Sequence, residues 1–71
     1  MDLVIERGAN QLAGVEVKAS STILSEDFRG LRKLREGSGK KFAAGVVLYD
    51  GEMTLRFEDT LFAVPISSLW E

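Results

Sequence analysis

The chain has 71 residues, 45% of them hydrophobic, a net charge of −2 and neither Cys nor His. Those numbers bound it to one small globular domain with a thin core. They exclude disulfides, thiolate chemistry, zinc-finger ligation and Ser–His catalysis within it, and they leave no global basic field to attract nucleic acid.

In chain order, residues 3–5 and 12–19 read as two strands joined by the turn-rich Gly8-Ala9-Asn10-Gln11. Leu3, Ile5, Ala13, Val15, Val17 and Ala19 are all odd-numbered and apolar. Burying them on one face of an antiparallel hairpin forces odd residues to sit opposite odd residues. Residues 20–22 form a polar link. Ser25 then suits a helix N-cap, with Glu26 and Asp27 at the positive end of the dipole. Leu24, Phe28, Leu31 and Leu34 recur at helical spacing, and Gly37 and Gly39 predict the helix end. Residues 42–49 are almost wholly apolar, the pattern of a strand covered on both faces. A helix between two strands predicts a right-handed crossover and a parallel pairing with the strand before it. Asp50-Gly51 predicts a two-residue hairpin turn, after which Met53, Leu55 and Phe57 alternate with Thr54, Arg56 and Glu58. Glu58-Asp59-Thr60 reads as a second turn, followed by a short strand over 61–64. Pro65 belongs at a strand end or sheet edge. Ser67 suits the cap of a last helical turn, and Trp70, with Leu69 and Phe62, is expected to pack onto the sheet, the alternative being an exposed docking patch.

Glu16-Val17-Lys18 is the most informative triplet. On a strand, Glu16 and Lys18 share one face and Val17 takes the other. The register that buries the odd set places Asp2, Glu6, Glu16 and Lys18 together. Two carboxylates and an ammonium converging on a sheet suit a divalent-metal site for phosphodiester chemistry. Without Cys or His its ligands are oxygens, which favours magnesium, manganese or calcium. Asp2 and Glu16 are the candidate ligands, with the Val17 carbonyl as another. Lys18 is the cation that orients water or stabilises the transition state. The simpler alternative is a solvated face on which Asp2 pairs with Lys18. Arg29, Arg32, Lys33 and Arg35 make the helix locally basic. They suit phosphate contact beside the site, or an ordinary solvated face balanced by Glu26, Asp27 and Glu36. Gly37-Ser38-Gly39-Lys40-Lys41 lacks the earlier Gly and the following Ser or Thr of a phosphate-binding loop, and lies between a helix and a strand in the wrong order.

The order of strand with Asp, strand with E-x-K, helix and parallel apolar strand resembles the core of the PD-(D/E)xK, or restriction-endonuclease-like, superfamily. Asp2-Leu3-Val4-Ile5-Glu6, Gly14-Val15-Glu16-Val17-Lys18-Ala19-Ser20, Asp27-Phe28-Arg29-Gly30-Leu31, Gly45-Val46-Val47-Leu48-Tyr49 and Val64-Pro65-Ile66 through Leu69-Trp70 resemble more closely a nuclease-like domain of unknown function. That domain stands at the C-terminus of bacterial and archaeal AAA+-type ATPases. The resemblance implies that Asp2 and Glu16 match the metal-binding acids and Lys18 the motif lysine, with Mg2+ or Mn2+ as cofactor and DNA as substrate. Met1, rather than Pro, precedes Asp2, and the first helix and strand of the full fold are absent.

The expected architecture is therefore α/β: a mixed sheet with one crossover helix and a C-terminal β-hairpin, a truncated restriction-endonuclease-like core. Residues 1–71 are read as one small domain at the C-terminus of a larger protein, whose ATPase domain is an expected partner. The missing elements should leave a sheet edge or apolar face open, so a homo-oligomer is expected. No run is apolar enough to cross a bilayer and no signal peptide is visible, so the expected location is cytoplasmic. The alternative function is a non-catalytic nucleic-acid-binding or interaction module.

Overall fold

The expected register is the one the first hairpin adopts. In the computed structural model, which describes residues 2–70, strands β1 (Leu3–Arg7) and β2 (Gln11–Lys18) pair antiparallel. Leu3 lies opposite Val15 and Ile5 opposite Ala13. The tight loop between them is opened by Gly8, whose φ of +65° is left-handed backbone that other residues adopt at a cost.

A 3-10 turn (Ser25–Phe28) leads into helix α1 (Arg29–Ser38), and the chain returns as β3 (Phe42–Tyr49), parallel to β2. Ser25 is not the cap. Leu24 holds the capping position, where the Asp27 carboxylate accepts its N–H at 2.7 Å and its carbonyl accepts the Asp27 N–H at 3.0 Å. The Ser25 hydroxyl instead accepts from Arg32. Gly37 stays within α1, and Gly39, with φ +56°, ends it. The glycine–lysine stretch is thus a helix stop, as its order predicts.

After β3 the chain runs through β4 (Leu55–Glu58) and β5 (Leu61–Pro65) to a final 3-10 turn (Ile66–Trp70). The five strands lie in the order β1-β2-β3-β5-β4, with β5 parallel to β3 and antiparallel to β4. The mixed sheet, single helix and trailing hairpin agree with the expected α/β class. Asp50-Gly51 does not make the predicted hairpin, because β5, not β4, pairs with β3. Gly51 also lacks the positive φ of a primed turn. Its missing Cβ serves the Tyr49 ring: a carbon there would stand 2.1 Å from Tyr49 Cε2. The Tyr49 hydroxyl donates to the Met53 carbonyl at 2.5 Å, closing the loop.

The helix covers the opposite face from the one the odd-residue pattern predicts. Phe28 and Leu31 pack with Phe42, Val47, Tyr49, Leu61 and Ala63, flanked by Leu12, Ile23 and Leu34. In this register Gly14, Glu16 and Lys18 of β2 share the helix-facing side with Gly45, Val47 and Tyr49 of β3. Gly14 and Gly45 are adjacent and buried. A Cβ on Gly45 would meet Leu61 Cδ2 at 2.8 Å and Leu31 Cβ at 3.2 Å, so the helix seats where side chains are missing. Among the described residues, none forms a layer over the odd face of β1 and β2: Leu3, Ile5 and Val17 are 53%, 50% and 56% exposed. β3 is accordingly covered on one face, its odd residues Val47 and Tyr49 buried and its even residues Val46 and Leu48 half-buried. Trp70 and Leu69 do not pack onto the sheet; Trp70 is 72% exposed. A 3-10 turn one residue beyond a strand ending in Pro65 carries them past it.

Candidate functional site

β2, β3 and β5 run parallel, and their carboxyl ends meet in one row, Lys18 beside Tyr49 beside Pro65. In open α/β sheets, ligands bind outside the carboxyl ends of the strands. The E-x-K triplet occupies that end of β2.

Asp2 is held there by a backbone contact. Its carboxylate accepts the Val17 N–H at 2.6 Å, next to the strand position facing Glu16 in the hairpin register. Within a strand, the N–H and C=O of one residue point to the same side. The Val17 carbonyl therefore faces the Asp2 side of β2. Glu16 is half-buried on the helix-facing side, level with Val47. The structure thus brings Asp2 alongside the E-x-K strand, as the register argument requires. Asp2, Glu16 and the Val17 carbonyl offer hard oxygen donors, the chemistry of a magnesium or manganese shell completed by water or phosphate. Among the described residues there is no group of three or more acidic side chains placed to hold a metal ion.

Lys18 does not pair with Asp2. Its ammonium donates to the Asp27 carboxylate at 2.5 Å, and both side chains are mostly shielded from water, at 25% and 19% exposed. The same carboxylate oxygen accepts the Leu24 N–H. The Lys18 hydrogen bond holds the Asp27 carboxyl below the usual carboxylate range, against a weaker opposing effect of burial and with help from the Leu24 N–H. Spacing marked Asp27 only as a helix-dipole acid. Its contact with Lys18 spans 9 residues and depends on how the crossover brings the helix start to the strand end.

Arg29, Arg32 and Lys33 border one shallow groove on α1, shared with Ser25, Glu26 and Glu36. Arg29 and Lys33 are exposed. Arg32 has a structural assignment: it reaches Glu58 at 2.7 Å, donates to the Ser25 carbonyl at 3.0 Å, and lies 5.8 Å over the Phe57 ring. Arg35 reaches the other Glu58 oxygen at 2.8 Å. Hydrogen bonds from Arg35 and then Arg32 hold the Glu58 carboxyl below its ordinary range. Sequence reading missed Glu58 as their partner. Two arginines three apart on one helix, needing an anion, were the available signal.

These features define a small α/β domain, one helix on one face of a mixed sheet, with a carboxylate–lysine cluster where the parallel strands end. The chain belongs to DUF4143, a family described as a domain of unknown function, which matches residues 1–69. No curated protein and no solved structure matches it. Among the described residues, no helix is long and apolar enough to cross a membrane.

Proposed function

We propose that this domain is a restriction-endonuclease-like module with a D…E-x-K site for a divalent cation and a DNA phosphodiester. Mg2+ or Mn2+ is the expected cation, and the cytoplasmic ATPase domain of a parent chain the expected neighbour. The observation that supports this reading best is the 2.6 Å contact from Val17 N–H to the Asp2 carboxylate, which sets the lone N-terminal acid beside the E-x-K strand. Asp2, Glu16 and the Val17 carbonyl would hold the cation. When bound, it supplies charge neutralisation on the phosphate and a water of lowered pKa. Lys18 contributes a positive charge beside the phosphate oxygens. Arg29 and Lys33, exposed along α1, extend the cationic track for the nucleic-acid backbone.

Fluorescence anisotropy of a short labelled DNA duplex tests this. Binding that requires calcium or magnesium, is removed by chelator and is lost in Glu16→Ala agrees with the proposal. Absence of binding, or binding indifferent to chelator and to Glu16, sinks it.

A second reading has its own observation, the uncovered apolar sheet face. Parallel strands are ordinarily covered on both sides. Leu3, Ile5 and Val17 lie exposed on a side that also carries Val15, Val46, Leu48 and Val64. This arrangement suits a non-catalytic interaction module, and in the isolated chain it suits homo-oligomers that bury the face between copies.

A further inference from the structure

The Lys18–Asp27 pair joins the end of β2 to the 3-10 turn before α1, and Asp27 lies outside the expected site residues. Lysine is a poor positional device alone, because its flexible four-carbon stem samples many rotamers. Here the stem is fixed at its tip by Asp27, 2.5 Å away. Asp27 is itself fixed, because its carboxylate also closes the turn by accepting the Leu24 N–H. The pair is only partly exposed, so screening by water is reduced. An ammonium has three N–H donors. One goes to Asp27, which leaves two to meet phosphate oxygens without breaking the pair.

We infer that Asp27 is a positioning residue for the D…E-x-K site, holding the Lys18 ammonium at the carboxyl end of β2 for a phosphodiester oxygen. This rests on the nuclease-like reading above. It adds a fourth side chain, supplied by the 3-10 turn before α1 rather than by the hairpin. The negative charge also balances Lys18 at rest, so phosphate affinity depends on the cation shared with Asp2 and Glu16.

Asp27→Asn is the discriminating change. The amide keeps an oxygen for the Leu24 N–H, so the turn persists while the negative charge facing Lys18 is removed. Anisotropy with the labelled duplex in calcium is measured for the full chain, Asp27→Asn, Lys18→Ala and the double variant. The 15N ammonium signal of Lys18 is recorded alongside. The expected result is about tenfold weaker binding in Asp27→Asn, close to that of Lys18→Ala, with no further loss in the double variant. The Lys18 ammonium signal, protected in the wild type, broadens in Asp27→Asn, while circular dichroism is unchanged. A merely structural pair lowers the melting temperature of Asp27→Asn and leaves DNA affinity in place. Unchanged or tighter binding, or losses that add, overturns the role of Asp27 and spares the site. A wild type that binds no duplex in calcium overturns the site and this inference together.

Discussion

At Gly45 one absent carbon sets how closely α1 approaches the sheet. Gly45→Val places new atoms against Leu61, Phe42 and Leu31 at separations that side chains do not tolerate. The expected cost is about 1–3 kcal/mol, read as a lower urea midpoint with unchanged slope. Two carboxylates make acid stability a second residue-scale matter. Asp27 and Glu58 both titrate lower in the folded chain than their ordinary values. The unfolded chain therefore takes up protons first on acidification. The stability they contribute is fully present above about pH 5 and is lost as pH falls through the ordinary carboxylate range toward their folded values. Urea midpoints should drop between pH 7 and pH 3, and the drop should be smaller in Asp27→Asn. An equal drop in both would mean that Asp27 contributes nothing to acid stability. Parity along the first two strands was enough to bring Asp2 to the E-x-K strand from sequence. Asp27 was not legible as the Lys18 partner, because that contact exists only after a helix has crossed over the sheet.

Among the elements, β4 carries the least obvious design. Its register shifts between Arg56 and Glu58, a bulge that leaves Phe57 unpaired. In a regular strand Phe57 and Glu58 would face opposite ways. The bulge lets both address the helix side. Phe57 stacks on Phe28 at 4.6 Å, while Glu58 ties Arg32 and Arg35. Strict alternation in the sequence hid this, and put Glu58 on the wrong side. The same stretch explains the Asp50-Gly51 misreading: a strong local turn pair is overridden because β5 offers β3 a better partner than β4. Glu58→Gln should loosen the helix-to-edge tie. Hydrogen exchange should speed up at β4 amides and stay unchanged in β2 and β3. Uniform acceleration across the sheet would mean that Glu58 stabilises the fold globally rather than anchoring its edge.

For the whole molecule, the governing fact is which face the helix covers. Odd residues in β1 and β2 form the more apolar set, yet α1 seats on the other face, over Gly14 and Gly45. Parity correctly paired the strands and could not say which side receives α1, since that is decided by where backbone approaches backbone. The consequence is a sheet with one open apolar side. We expect concentration-dependent association of the isolated chain, seen by sedimentation equilibrium and reversed by Ile5→Lys, which puts a charge on the open face at a residue 50% exposed. A wild type that stays monomeric at high concentration would separate the open face from self-association.

The proposed function depends first on Asp2, Glu16 and the Val17 carbonyl forming an oxygen-donor site at the carboxyl end of β2, with Lys18 beside it. The most direct test is a manganese titration of 15N-labelled protein, following the backbone amides. Selective paramagnetic broadening is expected around residues 2 and 16–18 at submillimolar metal, abolished in Glu16→Ala. Broadening absent at millimolar manganese, or present and unaffected by Glu16→Ala, would contradict it.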